Sequence, residues 1–260
     1  MEAPSYNFSP IGFIRSSFKE KFGLPRQSMM MSQSLGVLKL NDDPQLRLAV
    51  KDLQNFSHLW VIFVFHRHLY EQWTPTTTPP RIDGPKTVGV LASRSPYRPN
   101  PIGMSALKIE RIDFAAAGGV EIHLSGLDIL DETPVLDIKP YLPYADRIAD
   151  ANSGWVPETV YKYPVSFSEA ALIAIEQITA GDNPNFKEFL TQILELDPRP
   201  TSLRRNYPIA GTKIYKRKFG FRVLDYEIKC EIQHGGLHVL DILFLKERSL
   251  ETDQNCRITM

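Results

Sequence analysis

The sequence predicts a mainly β protein, with a barrel or sandwich at its N-terminus and a smaller α+β domain after it. Between Ile11 and Leu142 the apolar stretches are short, rich in β-branched and aromatic residues, and separated by Gly, Pro and Asp, which is typical of strands. Helical periodicity is scarce before Pro164 and clear after it. The 260 residues, 43% of them hydrophobic, suffice for one full domain and a smaller one.

The first domain is predicted to span residues 7–145 and to contain seven strands. These strands are Ser9–Arg15, Gly36–Leu40, Leu59–Phe65, Thr87–Ala92, Ile102–Ile112, Val120–Leu127 and Val135–Pro140. One helix is predicted over Pro44–Asn55, because Asp43 can cap it and a proline is favoured in the first turn. Seven strands with so little helix favour a barrel or a sandwich.

The second domain is predicted over residues 165–248, after a polar linker at Asp146–Pro164. Two helices come first, Ser168–Thr179 with Ser168 as its N-cap, and Asn185–Leu194. Three strands follow the turn at Asp197–Pro200. They are Thr212–Val223, Tyr226–Gln233 and Leu237–Leu245, joined by turns at Leu224–Asp225 and Gly235–Gly236. The tail Lys246–Met260 is expected to be disordered.

Charge and cysteine content favour a soluble cytoplasmic protein. Lys+Arg and Asp+Glu balance at 30 each, so contact with nucleic acid requires a local basic patch. The two cysteines, Cys230 and Cys256, lack the spacing of a disulfide framework or a zinc site, which indicates a reducing compartment. The N-terminus does not resemble a signal peptide, and the longest apolar run, Leu59–Phe65, is too short to span a bilayer.

Several common enzyme motifs are absent from the sequence. No Gly-x-Gly pair, Gly-Lys dipeptide or Gly-x-Ser-x-Gly motif occurs, which excludes the Rossmann fingerprint, the P-loop and the nucleophile elbow. His66 and His68 would share a face at strand period, but carboxylate or thiolate companions at close spacing are missing. We therefore expect no metal site, and ordinary polar or ligand-facing roles for these histidines.

The most unusual segment is Ser93–Gly103, which contains three prolines between two predicted strands. Proline fixes φ and pushes the preceding residue towards extended conformations, so a stiff loop without a hydrogen-bond ladder is expected. Arg94 and Arg98 would then be preset to bind a carboxylate or phosphate, and Gly103 would permit close backbone approach. A proline-braced crossover with solvated arginines explains these residues equally well.

Two further segments place polar groups at strand ends, where pockets form. The apolar strand Leu59–Phe65 ends in His66 and Arg67, and a strand that simply reaches solvent is the alternative. Four carboxylates lie in one turn and the next strand: Asp128, Asp131, Glu132 and Asp137. Such a turn can attract a cation, such as a sulfonium, although capping and solubility are common reasons for acids in turns.

A basic segment runs from Arg199 to Arg222, with eight Lys and Arg residues and no acid. Tyr207, Tyr215 and Phe219 are interleaved with these charges as possible stacking groups. This pattern favours contact with RNA phosphates over an exposed face that is balanced elsewhere. The RNA-contact residues proposed from it are Arg204, Arg205, Lys216, Arg217 and Lys218, together with Arg98 of the proline-rich segment.

Five ordered segments, which are highly specific in combination, resemble the TsaA-like family of tRNA (adenine(37)-N6)-methyltransferases. They are Ile11–Ser16, Glu20–Gln27, Phe56–Trp60 with His66-Arg67, Arg94–Gly103 and Asp128–Tyr141; the turn Asp197–Pro200 and its following strands resemble the C-terminal extension of bacterial members. The resemblance implies a β-barrel that binds S-adenosylmethionine without a Rossmann sheet. It also implies a homodimer with cofactor sites near the interface, and methylation of threonylcarbamoylated adenosine 3′ of the anticodon.

By the same resemblance, the cofactor is assigned to Pro25, Arg26, Gln27, His66, Arg67, Arg94, Met104, Asp128, Ile129, Leu130 and Asp131. The hypothesis is in-line transfer, with the N6 proton accepted by His66, by Asp137 or by water. Many members have glycine where this chain has Glu132, so a positive φ there would be strained. The alternatives are a non-catalytic S-adenosylmethionine- or RNA-binding barrel, acting as a sensor or assembly factor, and a metal-dependent hydrolase using His66 and His68.

Overall fold

The computed structural model describes residues 6–69, 71–79, 87–156, 160–181, 183–209, 217–233 and 235–245. The predicted tail Lys246–Met260 and the first part of the predicted strand Thr212–Val223 lie outside these ranges. An N-terminal barrel followed by a smaller α+β domain confirms the predicted fold class. Among the helices in these ranges, none is long and apolar enough to cross a membrane.

Six strands of the first domain close into an antiparallel barrel in the order β1-β2-β7-β6-β3-β8. The strands of this domain are β1 (Gly12–Ser16), β2 (Leu35–Leu40), β3 (His58–Val64), β4 (Thr76–Thr77), β5 (Val88–Gly89), β6 (Ile102–Asp113), β7 (Glu121–Ser125) and β8 (Thr133–Pro140). Side chains alternate across the barrel wall. In β3, Leu59, Val61 and Phe63 point into the core, whereas Trp60 and Ile62 are less buried.

Two sequence-based predictions for this domain are wrong. The segment Thr87–Ala92 is not a barrel strand: only β5 is extended, it pairs with β4 in a separate ribbon, and a 3-10 turn follows. The predicted helix Pro44–Asn55 ends early, because α1 covers Pro44–Ala49 and Asp52 has a left-handed φ of 67°. A left-handed residue cannot continue an α-helix, and a short 3-10 turn takes its place.

The second domain packs helices on a four-stranded sheet of order β10-β11-β12-β9, in which β9 runs parallel to β12. Its elements follow α2 (Pro143–Asp146) and are β9 (Val165–Phe167), α3 (Glu169–Thr179), α4 (Phe186–Glu195), α5 (Thr201–Asn206), β10 (Lys218–Val223), β11 (Tyr226–Gln233) and β12 (Gly236–Phe244). Ser168 caps α3 as predicted, since its hydroxyl accepts a hydrogen bond from Ala171 N–H at 3.1 Å.

The connection between β1 and β2 joins the two domains. Phe18 and Met31 from this connection are buried in the core of the second domain. Phe18 packs on Phe189 with ring centroids 5.9 Å apart, and Phe22 packs on Phe221 at 5.3 Å. The second domain therefore holds in place the segment that carries Pro25, Arg26 and Gln27.

Candidate functional site

One end of the barrel brings together three of the segments singled out by the sequence. The Arg94 guanidinium donates a hydrogen bond to the Gln27 side-chain oxygen. Asp128, in the turn between β7 and β8, accepts a hydrogen bond from the Ser105 hydroxyl at 2.6 Å. Arg94 and the Ser28 backbone also interact favourably with the Asp128 carboxylate. Gln27, Arg94 and Asp128 thus form a compact polar group.

Asp128 has an unusual electrostatic environment. Burial raises the pKa of its carboxyl to about 6, although the Ser105 hydrogen bond and the positive charge of Arg94 both act to lower it. The charged form is thus poorly solvated in the isolated protein. A positively charged group placed beside Asp128 would stabilise the carboxylate, so the site suits a ligand that carries a cation.

A second polar group lies where the chain leaves β3. His66 is half-buried, and its Nδ1 lies 3.3 Å from the Thr133 hydroxyl. Arg67 donates a hydrogen bond to the Lys19 carbonyl at 2.7 Å. Burial, followed by the charge of Arg67, lowers the pKa of His66. At neutral pH His66 is therefore uncharged and able to accept a proton.

The rest of the Asp128–Asp131 turn is fixed by contacts inside the protein. Asp131 is buried, accepts a hydrogen bond from Ser16 N–H at 2.8 Å and forms an ion pair with Lys19 at 2.5 Å. The Ile129 carbonyl accepts from the Ser16 hydroxyl at 2.9 Å, and Leu130 packs against the core of the second domain. These contacts hold the turn that carries Asp128.

The expectation that His66 and His68 share one face of a strand is wrong. Both lie in a 3-10 turn, His66–His68, directly after β3. His68 is buried, and its Nε2 lies 2.6 Å from the Lys21 ammonium. Within the described ranges, no three His, Cys, Asp or Glu side chains are grouped closely enough to hold a metal ion.

Two assigned residues, Met104 and Asp137, lie on the outer face of the barrel wall. Met104 is 55% exposed on the outer face of β6, opposite Ile62 of β3. Asp137 lies on β8, the strand on the other side of β3, where it is opposite the same Ile62. Its carboxylate forms an ion pair with Lys139 at 2.8 Å. Asp137 lies four residues along β8 from Thr133, a Cα separation of roughly 13 Å. The two candidate bases, Asp137 and His66, therefore occupy different places on the barrel.

Pro25 and Arg26 lie on the side of the second domain. Pro25 is buried, while the exposed Arg26 donates a hydrogen bond to the Arg199 carbonyl at 3.5 Å. Arg26 therefore links the cofactor segment to the second domain, and Arg94 is the arginine placed beside Asp128.

Glu132 adopts the positive φ anticipated from the missing glycine, at 61°. Its N–H donates to the Ile14 carbonyl at 2.8 Å, and its carboxylate forms an ion pair with Arg15. The left-handed conformation is unfavourable for a residue with a side chain, by roughly 1–2 kcal/mol. The barrel hydrogen bond holds Glu132 in this conformation.

Sequence reasoning missed Ser105, and the close approach expected at the Gly103 backbone is made by the Phe63 ring. Ser105 is an inward-facing residue of β6, and its alternation with the exposed Met104 is the signal that would have identified it as a partner for a buried carboxyl. A Cβ atom at Gly103 would lie 2.4 Å from the Phe63 ring. The glycine therefore permits close packing inside the barrel.

The basic segment of the second domain divides into two kinds of residue. Arg199 is buried and pairs with Asp197 through two hydrogen bonds, of 2.7 and 2.8 Å, so this member of the basic segment is not available to an RNA phosphate. Arg217 stacks on the Tyr207 ring at 4.7 Å and donates to its hydroxyl at 2.6 Å, and Lys218 is exposed.

The remaining residues proposed for RNA contact are distributed as follows. Arg204 and Arg205 lie on α5, in the same domain as the exposed Lys218. Lys216 lies outside the described residues. Arg98 is in the barrel domain, where it donates to the Ser93 carbonyl at 3.3 Å. The structure therefore places Arg98 in a different domain from Arg204, Arg205 and Lys218.

A groove of about 730 Å³ runs along the outside of β1, β2 and β7, beside Leu224 of the second domain. Its lining contains two ion pairs, Arg15 with Glu132 and Lys19 with Asp131, so its charges are largely compensated. Gln27, Arg94 and Asp128 do not line it. The polar group at the barrel end is thus distinct from this groove.

Comparison with known proteins identifies both domains. The family model described as the tRNA-methyltransferase O N-terminal domain matches residues 13–147, and the TrmO C-terminal domain matches residues 161–244. A tRNA (adenine(37)-N6)-methyltransferase of Escherichia coli K12 is 40% identical over 200 residues, covering 75% of this chain and 83% of the relative.

Two matches from Pseudomonas aeruginosa extend over nearly the whole chain. RcsF, provisionally named an S-adenosylmethionine-dependent methyltransferase, is 36% identical over 239 residues, with 92% of this chain and 98% of the relative covered. A crystal structure of TrmO from the same species matches with a TM-score of 0.72 and 33% identity, covering 93% of this chain and all (100%) of that one.

Proposed function

This chain belongs to the TrmO family, and from that membership we propose that it is an S-adenosylmethionine-dependent methyltransferase that acts on N6 of adenosine 37 in tRNA. The observation that carries the proposal is the polar group of Gln27, Arg94 and Asp128 at the barrel end, within the matched N-terminal domain. We extend the proposal to threonylcarbamoylated adenosine as the substrate and to the cytoplasm as the location.

The side chains at the barrel end fit this cofactor. S-adenosylmethionine carries two cationic groups, an ammonium and a sulfonium, and one carboxylate, and it supplies a methyl group when bound. Burial raises the pKa of Asp128 to about 6, so a neighbouring cation would stabilise its ionised form. Arg94 is a planar donor suited to a carboxylate. We assign Gln27, Arg94 and Asp128 to cofactor binding, with Ile129, Leu130 and Asp131 holding the turn.

The other assigned residues have supporting roles in this proposal. Arg67 ties the His66–His68 turn to the Lys19 carbonyl at 2.7 Å. Pro25 and Arg26 hold the cofactor segment against the second domain. His66 is the better placed proton acceptor, because it is neutral near pH 7, whereas Asp137 is ion-paired with Lys139. Methyl transfer by a His66→Gln variant at the normal rate would leave water as the acceptor.

We propose that the chain forms a homodimer through the outer face of β3 and β6. Ile102 and Met104 on β6 are 40% and 55% exposed, and Met104 neighbours Ile62 on β3. An apolar strip on a barrel wall is costly in water and typical of an interface. Met104 would then reach a cofactor site from the interface. A monomer at micromolar concentration in analytical ultracentrifugation would refute this assembly.

We propose that the second domain contacts the tRNA backbone through Arg204, Arg205, Arg217 and Lys218, with Lys216 added from the sequence alone. Replacing Arg217 and Lys218 together by alanine should weaken tRNA binding. Two lost phosphate contacts should also reduce the slope of log K against log salt by roughly two. The measurement is a salt titration of tRNA affinity. The matched control is the double variant Lys162→Ala/Lys187→Ala. An unchanged salt slope in Arg217→Ala/Lys218→Ala would contradict the proposed contact of these two residues with the tRNA backbone.

The proposed activity is tested with S-adenosylmethionine labelled in its methyl group and tRNA that carries threonylcarbamoyladenosine. Label should enter the tRNA, and replacing adenosine 37 by another nucleotide should prevent its incorporation. A protein that binds the cofactor without transferring label would instead be the non-catalytic binding barrel.

A further inference from the structure

Four basic side chains meet at the side of the barrel end, and the cofactor contacts assigned above do not use all of them. The cluster consists of Lys21, His66, Arg67 and His68, which are close enough to influence one another electrostatically. Besides burial, the larger effect in each case, the charge of Arg67 lowers the pKa of Lys21 and of His66, and the charges of Lys21 and His66 lower the pKa of His68. The negative charge of Glu71 acts in the opposite direction and raises the pKa of Lys21. The Glu71 carboxylate lies 3.9 Å from Nε2 of His68. Because the pKa values of His66 and His68 are both lowered, the positive charge of the cluster comes from Lys21 and Arg67, and this charge favours an anionic ligand.

Lys21 is the member of the cluster best prepared to receive that ligand. Its ammonium lies 2.6 Å from Nε2 of the buried His68 and 5.9 Å from the centre of the Tyr97 ring. His68 packs edge-on against Tyr97 with centroids 4.8 Å apart, so the ammonium rests on a rigid aromatic support. Lys21 itself is exposed, and no ion pair within the described part of the chain includes it.

The tautomer of His68 follows from this contact. The Lys21 ammonium can only donate, so Nε2 of His68 accepts and the ring is neutral. Burial, followed by the Lys21 charge, lowers the pKa of His68, which agrees with a neutral ring. One of the three ammonium hydrogens is therefore used, and the remaining donors are available to a ligand at the surface.

The location of the cluster relates it to the transferred group. His66 and Arg67 belong to the candidate cofactor site, and Tyr97 lies in the same proline-rich loop as Arg94. The accepting nitrogen must lie beside the methyl donor during transfer. In a threonylcarbamoylated adenosine, the threonine carboxylate is only a few bonds from that nitrogen. Lys21 thus lies beside the two segments that carry His66, Arg67 and Arg94, where a substituent on the accepting nitrogen is expected.

We propose that Lys21, oriented by His68 and Tyr97, binds the carboxylate of the threonylcarbamoyl group and thereby selects the modified adenosine over unmodified adenosine. This inference rests on the proposed function. A carboxylate could also come from the methionine part of the cofactor, and an anion could come from an RNA phosphate, so the test separates these sources.

The test uses the full-length protein and two anticodon stem-loop RNAs, one with the threonylcarbamoyl carboxylate and one with the corresponding amide. Lys21→Met should lower kcat/KM on the carboxylate RNA about 10- to 150-fold, the range expected for a lost charge-assisted hydrogen bond. The amide RNA should be affected less than threefold, the dissociation constant for S-adenosylmethionine should stay unchanged, and Lys21→Arg should restore part of the activity.

Lys51→Met is the matched control, because Lys51 is an exposed lysine of the same domain away from the cluster. An equal loss on both RNAs would point to a phosphate contact and would overturn the proposal. A weakened affinity for S-adenosylmethionine in Lys21→Met would assign Lys21 to the cofactor carboxylate and would also overturn it. If wild-type protein methylates neither RNA, the proposed function itself fails. An unchanged kcat/KM of Lys21→Met on the carboxylate RNA would instead overturn only the role of Lys21.

Discussion

Replacing Asp128 by asparagine should weaken binding of S-adenosylmethionine about 10- to 150-fold, with a matching fall in kcat/KM. The change keeps the shape of the side chain but removes the charge that a cationic ligand would contact. A hydrogen bond to a charged group contributes about 1.5–3 kcal/mol, which corresponds to this range. Isothermal titration calorimetry measures the affinity. Asp42→Asn, an exposed acid ion-paired with Arg47, is the matched control and should bind normally.

The pH dependence of binding provides a second readout for Asp128. The pKa of its carboxyl is about 6 without ligand, and a cationic ligand binds the ionised form. Affinity should therefore be constant above about pH 7 and decline below pH 6, approaching a tenfold loss per pH unit. In Asp128→Asn this decline should disappear. A wild-type affinity that is constant down to pH 5 would contradict the role of Asp128.

Replacing Arg199 by methionine should lower the free energy of unfolding by about 3–5 kcal/mol, because it leaves the buried Asp197 carboxylate without its partner. Arg199 also donates a hydrogen bond to the Tyr207 carbonyl at 2.7 Å, which the change removes. Urea denaturation measures the loss. Arg222→Met, an exposed arginine of the same domain, should change stability by less than about 0.5 kcal/mol.

A double variant separates the buried charge from lost packing. Asp197 has a positive φ of 49°, a conformation that asparagine tolerates, so Asp197→Asn combined with Arg199→Met removes both charges without new backbone strain. The double variant should recover part of the stability lost by Arg199→Met. If it is less stable than Arg199→Met, the loss comes from packing and from the contact with Tyr207.

The barrel could be predicted because its strands alternate and are bounded by turn residues. β3 and β6 follow this pattern closely, whereas the segment Thr87–Ala92 has a strand-like composition without a barrel neighbour. Composition cannot tell whether a partner strand exists, so the sequence predicts a seventh strand where the structure has a short ribbon. The early end of α1 depends on the conformation of a single residue, Asp52, which helical periodicity does not reveal.

The candidate site was only partly predictable for a related reason. Sequence resemblance picked out Gln27, Arg94 and Asp128, but their mutual contacts depend on how three separate loops meet at the barrel end. Lys21 and His68 are 47 residues apart and were not linked by any sequence pattern. Arg199 has the same charge as the exposed arginines near it, and only its burial against Asp197 shows that it stabilises the fold.

The most direct test of the central claim is the mass of one nucleoside. tRNA carrying threonylcarbamoyladenosine is incubated with the protein and S-adenosylmethionine, digested to nucleosides and analysed by mass spectrometry. The proposed activity predicts that threonylcarbamoyladenosine is replaced by a nucleoside heavier by one methyl group, with the methyl on N6. Cofactor binding without any change in that nucleoside would contradict it.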